Sequence, residues 1–360
     1  MKTEQQGTRR RTAGWIAAIL MTTITAFWTY WSFGEMYHEG WWGVWTNRLP
    51  YLVPGMGFLF LTVLAILYPR VGGWLLILVG IAFSVFFLDM EIINGRLVIN
   101  RDWAGILISI PIAFLGGLFL MDGWQRAQGL FTVRRGAWWR RCPRLALALG
   151  VPLAIALGVS IVMLPVVLTR QDDGDRSARL IDENGVALIW APEGPGWNYQ
   201  QPWGGYPSWN SIALYGVEPV GFEDKPGYER DAPDRQFASS AEMESTNLCR
   251  YLNETGTALE TRPVDIWRMP TVDELVRSLV RHGENAGCIW QGEDGERVQC
   301  TVQPDKESPL WSTDRSPVYY WAADEYDERD GYFVSFNGYV NTTYKPGGNP
   351  RHSYRCVREP

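Results

Sequence analysis

Between Trp311 and His352 the chain concentrates side chains that recognise a ligand without reacting with it. Trp311, Tyr326, Tyr332, Tyr339 and Tyr344 offer aromatic faces; Asp314, Asp327, Asp330, Asn337, Asn341, Asn349, Arg329, Arg351 and His352 offer directional hydrogen bonds. Such rings stack on sugars or fill protein hot spots, while the polar groups orient what is bound. Tyr320, Trp321 and Phe336 in the same stretch are expected in a core. No Gly-x-Ser-x-Gly, His-Glu-x-x-His or phosphate loop occurs. The acid pairs Asp324/Glu325 and Asp327/Glu328 are what a solvated acidic surface carries. The chemistry predicted is binding, not catalysis.

Four cysteines, Cys249, Cys288, Cys300 and Cys356, fall in the second half. An even count predicts disulfides, with three possible pairings. Cys288-Ile-Trp290 and Arg297–Val302 flank Gln-Gly-Glu-Asp-Gly, a hairpin signal that places Cys288 and Cys300 on facing arms. Pairing them leaves Cys249 with Cys356. A metal site is the poorer reading: no Cys-x-x-Cys is present, and His282 and His352 lack ligand spacing.

The elements that must position these groups centre on Ile266–Leu275. Pro270 ends an extended segment. Thr271 and Glu274 form a Thr-x-x-Glu capping box. Leu275, Val276, Leu279 and Val280 supply one apolar stripe, which predicts a helix ending near Gly283. An earlier helix is predicted over Ser240–Leu252. Strands are predicted at 186–190, 212–222, 318–322, 331–336, 339–343 and 354–358, with Asn337-Gly338 as a type I′ turn. Residues 170–184 read as a charged linker.

The first half is of another kind. Residues 1–170 carry 15 Lys+Arg against 7 Asp+Glu; the whole chain is −6, which leaves −14 for residues 171–360. Such asymmetry predicts two solvents, lipid and water, and the acidic half would repel nucleic acid. Five apolar runs, 15–33, 49–68, 71–88, 103–121 and 145–168, approach or exceed the ~20 residues that span a bilayer. The first is too long for a signal-peptide core. The sequence therefore predicts a cytoplasmic N-terminus (1–14), a five-helix transmembrane domain (15–169) and an extracytoplasmic domain (185–360). Arginine placement sets that orientation: Arg9, Arg10, Arg11, Arg70, and the loop 122–144 with six arginines and one acid. That loop is a possible contact for anionic lipid. On the outer side Glu35, His38, Glu39, Asp89, Glu91 and Asp102 could converge on an ion, but are expected in interfacial loops beside the belt residues Trp41, Trp42, Trp45 and Trp103.

Cys249-Arg-Tyr-Leu252, Trp267-Arg-Met-Pro-Thr271, Asp273-Glu274-Leu275, Tyr320-Trp321, Gly338-Tyr-Val340 and Arg355-Cys356-Val357-Arg358 occur in the order seen in the Lcl carboxy-terminal domain family. The second half resembles that family over roughly residues 185–358. The resemblance implies a C-type-lectin-like fold, α+β, with two helices, a small twisted sheet and the terminal strands side by side. It also implies a helix-to-last-strand disulfide and a binding role on a bacterial surface, toward a glycan, cell-wall polymer or protein. In such folds Gln303-Pro304-Asp305 marks a calcium-bound sugar site, but calcium needs 6–8 oxygens, and the expected Trp-Asn-Asp partner is missing. The alternative function is an accessory subunit of a membrane complex, with the outer domain as a cap. No cofactor is expected.

Overall fold

The computed structural model describes residues 12–86, 88, 90–93, 96–99, 103–127, 143–197, 207–215, 237–292, 295–347 and 351–360. The chain divides into two compact units, one of residues 1–41 with 46–165, the other of residues 42–45 with 166–360.

The first unit is built of helices α1 (Thr12–His38), α2 (Leu49–Leu67), α3 (Pro69–Phe86), α4 (Trp103–Ala127) and α5 (Pro143–Leu168). All five are long and apolar enough to cross a membrane. Where these helices meet, small residues let the backbones approach closely and polar side chains bridge them. Gly73 and Gly80 on α3 do this against α4: a Cβ there would lie 2.8 Å from the Gly116 carbonyl and 2.6 Å from the Ala113 nitrogen. Thr25 and Thr62 join α1 to α2 at 2.8 Å, and Ser84 and Ser109 join α3 to α4 at 2.8 Å.

The expected loop acid Asp122 lies instead on α4, fully buried. Arg126 donates to it at 2.7 Å and Arg144 at 3.0 Å, while Arg126 also reaches the Ile66 carbonyl at 3.0 Å. Gly14 on α1 abuts this triplet, since a Cβ there would sit 2.1 Å from Asp122 Oδ1. A helix extended past residue 121 is cheaper than an unpaired loop carboxylate once two guanidiniums are in reach. A hairpin, β1 (Met90–Ile93) with β2 (Arg96–Ile99), occupies part of the expected loop between α3 and α4.

The second unit is α+β. Its larger sheet has the order β11-β8-β9-β10-β7, with β8 (Tyr319–Glu325), β9 (Asp330–Ser335) and β10 (Tyr339–Tyr344) antiparallel at the centre. β7 (Glu296–Arg297) edges β10, and β11 (His352–Ser353) runs parallel to β8. A second sheet, β12-β4-β3, sets β12 (Val357–Arg358) beside β4 (Val186–Trp190). The third strand, β3 (Arg179–Glu183), is the expected linker. Asn184 and Gly185, with φ of 52° and 80°, close it onto β4 as a tight turn.

The Thr271 corner forms with its capping box: Thr271 N–H donates to Glu274 Oε2 at 2.8 Å and Glu274 N–H to Thr271 Oγ1 at 3.3 Å. Arg268 adds two bonds to Glu274, at 2.8 and 2.6 Å. Helix α8 (Val272–Arg277), however, stops well short of Gly283. Leu279 and Val280 are buried as expected, but Val280 lies on β5 (Val280–Arg281), paired with β6 (Glu284–Asn285). His282 and Gly283, at φ 54° and 76°, make the turn that ends the helical register. The earlier helix is also split. After α6 (Trp209–Ala213), where a strand was expected from residue 212, α7 (Ser240–Thr246) ends at Asn247, whose side chain accepts from Cys249 N–H at 2.9 Å and starts a 3-10 turn, Leu248–Tyr251. At Asn337-Gly338 only the glycine has positive φ (77°), and Gly338 N–H donates to the Ser335 carbonyl at 3.0 Å. The loop has three residues rather than the two a type I′ turn needs.

Both expected disulfides are present, Cys249–Cys356 and Cys288–Cys300. Trp42, expected in an interfacial belt, is 2 % exposed and belongs to the second unit. Arg170 lies 3.7 Å and Lys306 Nζ 4.3 Å from its ring centre, and Phe336 meets it edge-on. The segment 171–179 is fastened rather than loose. Asp172 accepts from Arg176 at 2.6 Å, Ser308 at 2.9 Å and Thr313 at 2.9 Å, and Arg179 binds Asp173 and Asp175.

Three outcomes follow for full-length protein. Thr271→Ala should lower stability by about 1 kcal/mol, the usual worth of an N-cap, read by thermal unfolding. Cys249→Ser with Cys356→Ser opens a loop of 107 residues and should cost about 4 kcal/mol, read the same way. The Arg176 guanidinium beside Asp172 holds its carboxyl well below the usual value of 3.8. Its stabilisation is therefore complete above that value and lost as acid protonates it, so stability should fall below about pH 4, and Asp172→Asn should flatten that fall in unfolding curves taken against pH.

Candidate functional site

The turn joining β8 to β9 is fixed by its own backbone. Tyr326 N–H donates to the Asp330 carbonyl at 2.9 Å, and Asp327 Oδ1 accepts from the N–H groups of Arg329 (2.7 Å) and Asp330 (2.8 Å). Asp is suited to such a turn because its short carboxylate reaches the backbone two residues on. The pairing of β8 with β9 shifts register between Trp321 and Glu325, and an irregularity of this kind re-aims the residues beyond it. Tyr326 projects from this turn, 49 % exposed.

Tyr332, on β9, lies beneath it and is 8 % exposed. The Tyr326 and Tyr332 rings meet edge-to-face, with centres 5.6 Å apart and planes at 88°. Trp290 closes the group from another part of the chain, 5.5 Å from Tyr332 at 74°. Trp290 lies two residues beyond Cys288, so the Cys288–Cys300 bond anchors its segment. In the sequence Trp290 is placed only on a hairpin arm. Nothing in its local pattern differs from a core tryptophan; only the fold brings it to Tyr332.

The turn is acidic. Residues 324–330 read Asp-Glu-Tyr-Asp-Glu-Arg-Asp. Two of the acids serve the scaffold: Asp324 accepts from Val272 N–H at 2.6 Å, and Glu325 pairs with the buried Lys345 at 2.6 Å. Burial pushes the Asp324 carboxyl up, while the Lys345 bond helps to hold Glu325 down, against a desolvation that would raise it. Asp327 and Glu328 are exposed, Asp330 is half-buried, and Arg329, the one cation of the run, lies over the Tyr344 ring at 5.9 Å.

The remaining expected site residues do not join this group as surface binders. Trp311 is fully buried against Tyr320, with ring centres 4.0 Å apart. Tyr344 is buried and meets Phe237. His352 is 6 % exposed, stacked on Trp321 at 4.6 Å and flanked by Tyr319 and Phe333. Neither of its ring nitrogens has a hydrogen-bond partner, and burial pushes its pKa down to about 3, so it is a neutral core ring. Tyr339 donates to the Gly295 carbonyl at 2.6 Å, Asn341 Oδ1 accepts from Thr342 N–H at 2.8 Å, and Asn337 takes part in its turn through Ser335. Arg351 is half-buried, and its carbonyl accepts from Val318 and Tyr319. Asp314 is exposed beside Arg176 at 3.7 Å, and Asn349 lies outside the described residues.

Neither expected ion locus is simple. Asp305 is held by Arg170 at 2.6 Å and Arg281 at 2.9 Å, and Gln303 donates to the Asn337 carbonyl at 2.7 Å. Two guanidiniums on Asp305 would repel the calcium that a Gln-Pro-Asp site requires. Glu35 and His38 lie on the last turn of α1 rather than in a loop, and with Glu39 they form the one group among the described residues whose ligand atoms lie within 4.8 Å of each other. Tyr51 already donates to Glu39 at 2.9 Å. Asp89 and Asp102 lie outside the described residues, as does the side chain of Glu91.

The burial contrast yields a direct check. Tyr332→Ala should destabilise the protein by about 3 kcal/mol, as loss of a core aromatic does. Tyr326→Ala should change stability by less than about 0.5 kcal/mol. Thermal unfolding of both variants separates scaffold from surface ring. Searches with the whole chain find no matching protein-family model, no matching curated protein and no matching solved structure.

Proposed function

We propose that the protein is an integral membrane protein of the bacterial plasma membrane, with its N-terminus in the cytoplasm. Its second unit is an extracytoplasmic binding module of C-type-lectin-like fold that engages a glycan, cell-wall polymer or protein. Five helices of spanning length, arginine-rich inner segments and two cystines support that placement. The side-by-side terminal strands support the resemblance to the Lcl carboxy-terminal domain.

The observation that carries the binding role is Tyr326. A half-exposed ring is held at a fixed hairpin turn and backed by two further rings. Rigid, amphipathic aromatics bind at low entropic cost, which is why they dominate recognition surfaces. The test is capture of surface polymers and proteins by full-length protein in detergent, with and without calcium, next to Tyr326→Ala. The reading expects a bound species whose capture falls about tenfold in the variant, the size of a modest hot spot. Equal capture by both proteins overturns it.

One feature favours assembly as a second reading. Helix α5 buries the least of the five and exposes Leu149, Leu153, Leu157 and Ile161. An accessory subunit would cover that face with another membrane protein. Crosslinking from Leu153→Cys in intact membranes should then give a discrete protein adduct; labelling by lipid probes alone counts against assembly.

A further inference from the structure

Within the second unit, residues 305–308 join the β5–β6 hairpin to residues 170–172. Asp305 N–H donates to the Val280 carbonyl at 3.1 Å, and the Asp305 carboxylate takes Arg281 at 2.9 Å and Arg170 at 2.6 Å. Ser308 N–H donates to the Gln171 carbonyl at 3.2 Å, and Ser308 Oγ to Asp172 at 2.9 Å. Three consecutive charged residues, Asp305, Lys306 and Glu307, are buried at this junction.

Glu307 is the one that is poorly matched. Its side chain is 0 % exposed. Oε2 accepts from Gly283 N–H at 3.1 Å, but Oε1 has no hydrogen-bond partner. His282 Nδ1 faces Oε1 at 3.9 Å, beyond hydrogen-bond reach. His282 Nε2 accepts from Arg281 at 3.3 Å, which leaves the hydrogen of a neutral ring on Nδ1. The His282 side chain is 49 % exposed, so it gives protons a route from solvent to the buried carboxyl. A buried carboxylate with one oxygen unsatisfied is costly, and the neutral acid is far less so.

The charges around this carboxyl do not compensate it. Arg170 and Arg281 are committed to Asp305, whose negative charge opposes theirs. Lys306 turns its amine to the Arg315 carbonyl and the Trp42 ring. Burial therefore dominates. It pushes the Glu307 carboxyl up from its ordinary 4.5, and Asp305 adds to the rise, while the Gly283 N–H, His282 and Arg281 oppose it.

We infer that Glu307 is a proton-operated latch, which holds the β5–β6 hairpin against residues 305–308 when it is neutral and favours their parting when it is ionised. The proton enters from solvent and settles on Oε1, and the Gly283 bond to Oε2 is kept. Ionisation instead favours a local opening that hydrates the carboxylate. A group whose folded value is raised contributes stability that is complete below its ordinary value of 4.5 and is lost as pH rises through the folded value. The junction is thus tighter in mild acid than at neutral pH, the reverse of the Asp172 effect. The latch requires no ligand and is independent of the role proposed for Tyr326.

The test follows amide hydrogen exchange of residues 280–286 and 305–311 in full-length protein in neutral detergent. It compares about pH 5 with about pH 8, with the intrinsic exchange rate at each pH divided out. His352, Lys306 and Asp324 also bind protons differently in the folded protein. The reading is therefore the difference between wild type and Glu307→Gln, which keeps the shape of the side chain and removes its charge. Glu307→Gln should raise protection of both segments at least about threefold at the higher pH and change it little at the lower. Asp305→Asn is the contrast: its carboxylate is paired, so its loss should lower protection at both pH values. A difference between wild type and Glu307→Gln that is the same at both pH values overturns the inference. So does lower protection in Glu307→Gln at the higher pH, or failure of that variant to fold.

Discussion

The second unit depends on how its C-terminal strand is returned to the beginning of the domain. Val357 exchanges two backbone hydrogen bonds with Arg268, at 2.8 and 2.9 Å, and pairs with Trp190 on β4. One residue earlier, Cys356 is bonded to Cys249. Three distant parts of the chain therefore meet within a few residues. Closing a loop that long is entropically expensive in the unfolded chain, which is the cost the cystine removes. The Thr271 corner is rigid because its capping box and the Arg268–Glu274 pair share one carboxylate.

Around this junction the unit buries cations as well as rings. Arg355 is fully buried, stacks on Trp197 at 3.7 Å and donates to the carbonyls of Ala191, Pro309 and Leu310. Burial brings its pKa down to about 9. Lys345 donates to the Ala238 and Glu328 carbonyls as well as to Glu325, and lies over Trp209. Buried charge is tolerated only where hydrogen bonds replace water. Here carbonyls of irregular segments and tryptophan faces do so together. The motif residues Trp267, Arg268, Arg355 and Cys356 are thus accounted for by architecture.

The helical unit obeys a different constraint. Its helices meet where glycine removes the side chain, at Gly14, Gly73 and Gly80, and where hydroxyls bridge. The Asp122–Arg126–Arg144 triplet reaches the carbonyl end of α2 and the backbone of α1. One buried carboxylate thereby bears on four helices, an arrangement in which removing that carboxylate takes its counter-charge from two guanidiniums.

Much of this was determined by the sequence alone. Runs of about 20 apolar residues need no tertiary information to be read as helices long and apolar enough to cross a membrane, and the cystine pairing followed from a single hairpin signal. The Thr-x-x-Glu box was legible because capping is local. What local pattern could not settle was where a buried residue sits. Leu279 and Val280 satisfy a helical stripe and a strand equally, and the turn at His282-Gly283 decided for the strand. Arg179–Glu183 looked like a linker until Asn184-Gly185 folded it onto β4. Trp311, Tyr344 and His352 have the composition of a binding face and are core, because burial is set by contacts between segments far apart in the chain. Trp290 is the converse: an ordinary hydrophobic residue in sequence that only the folded sheet carries to the rings of Tyr332 and Tyr326.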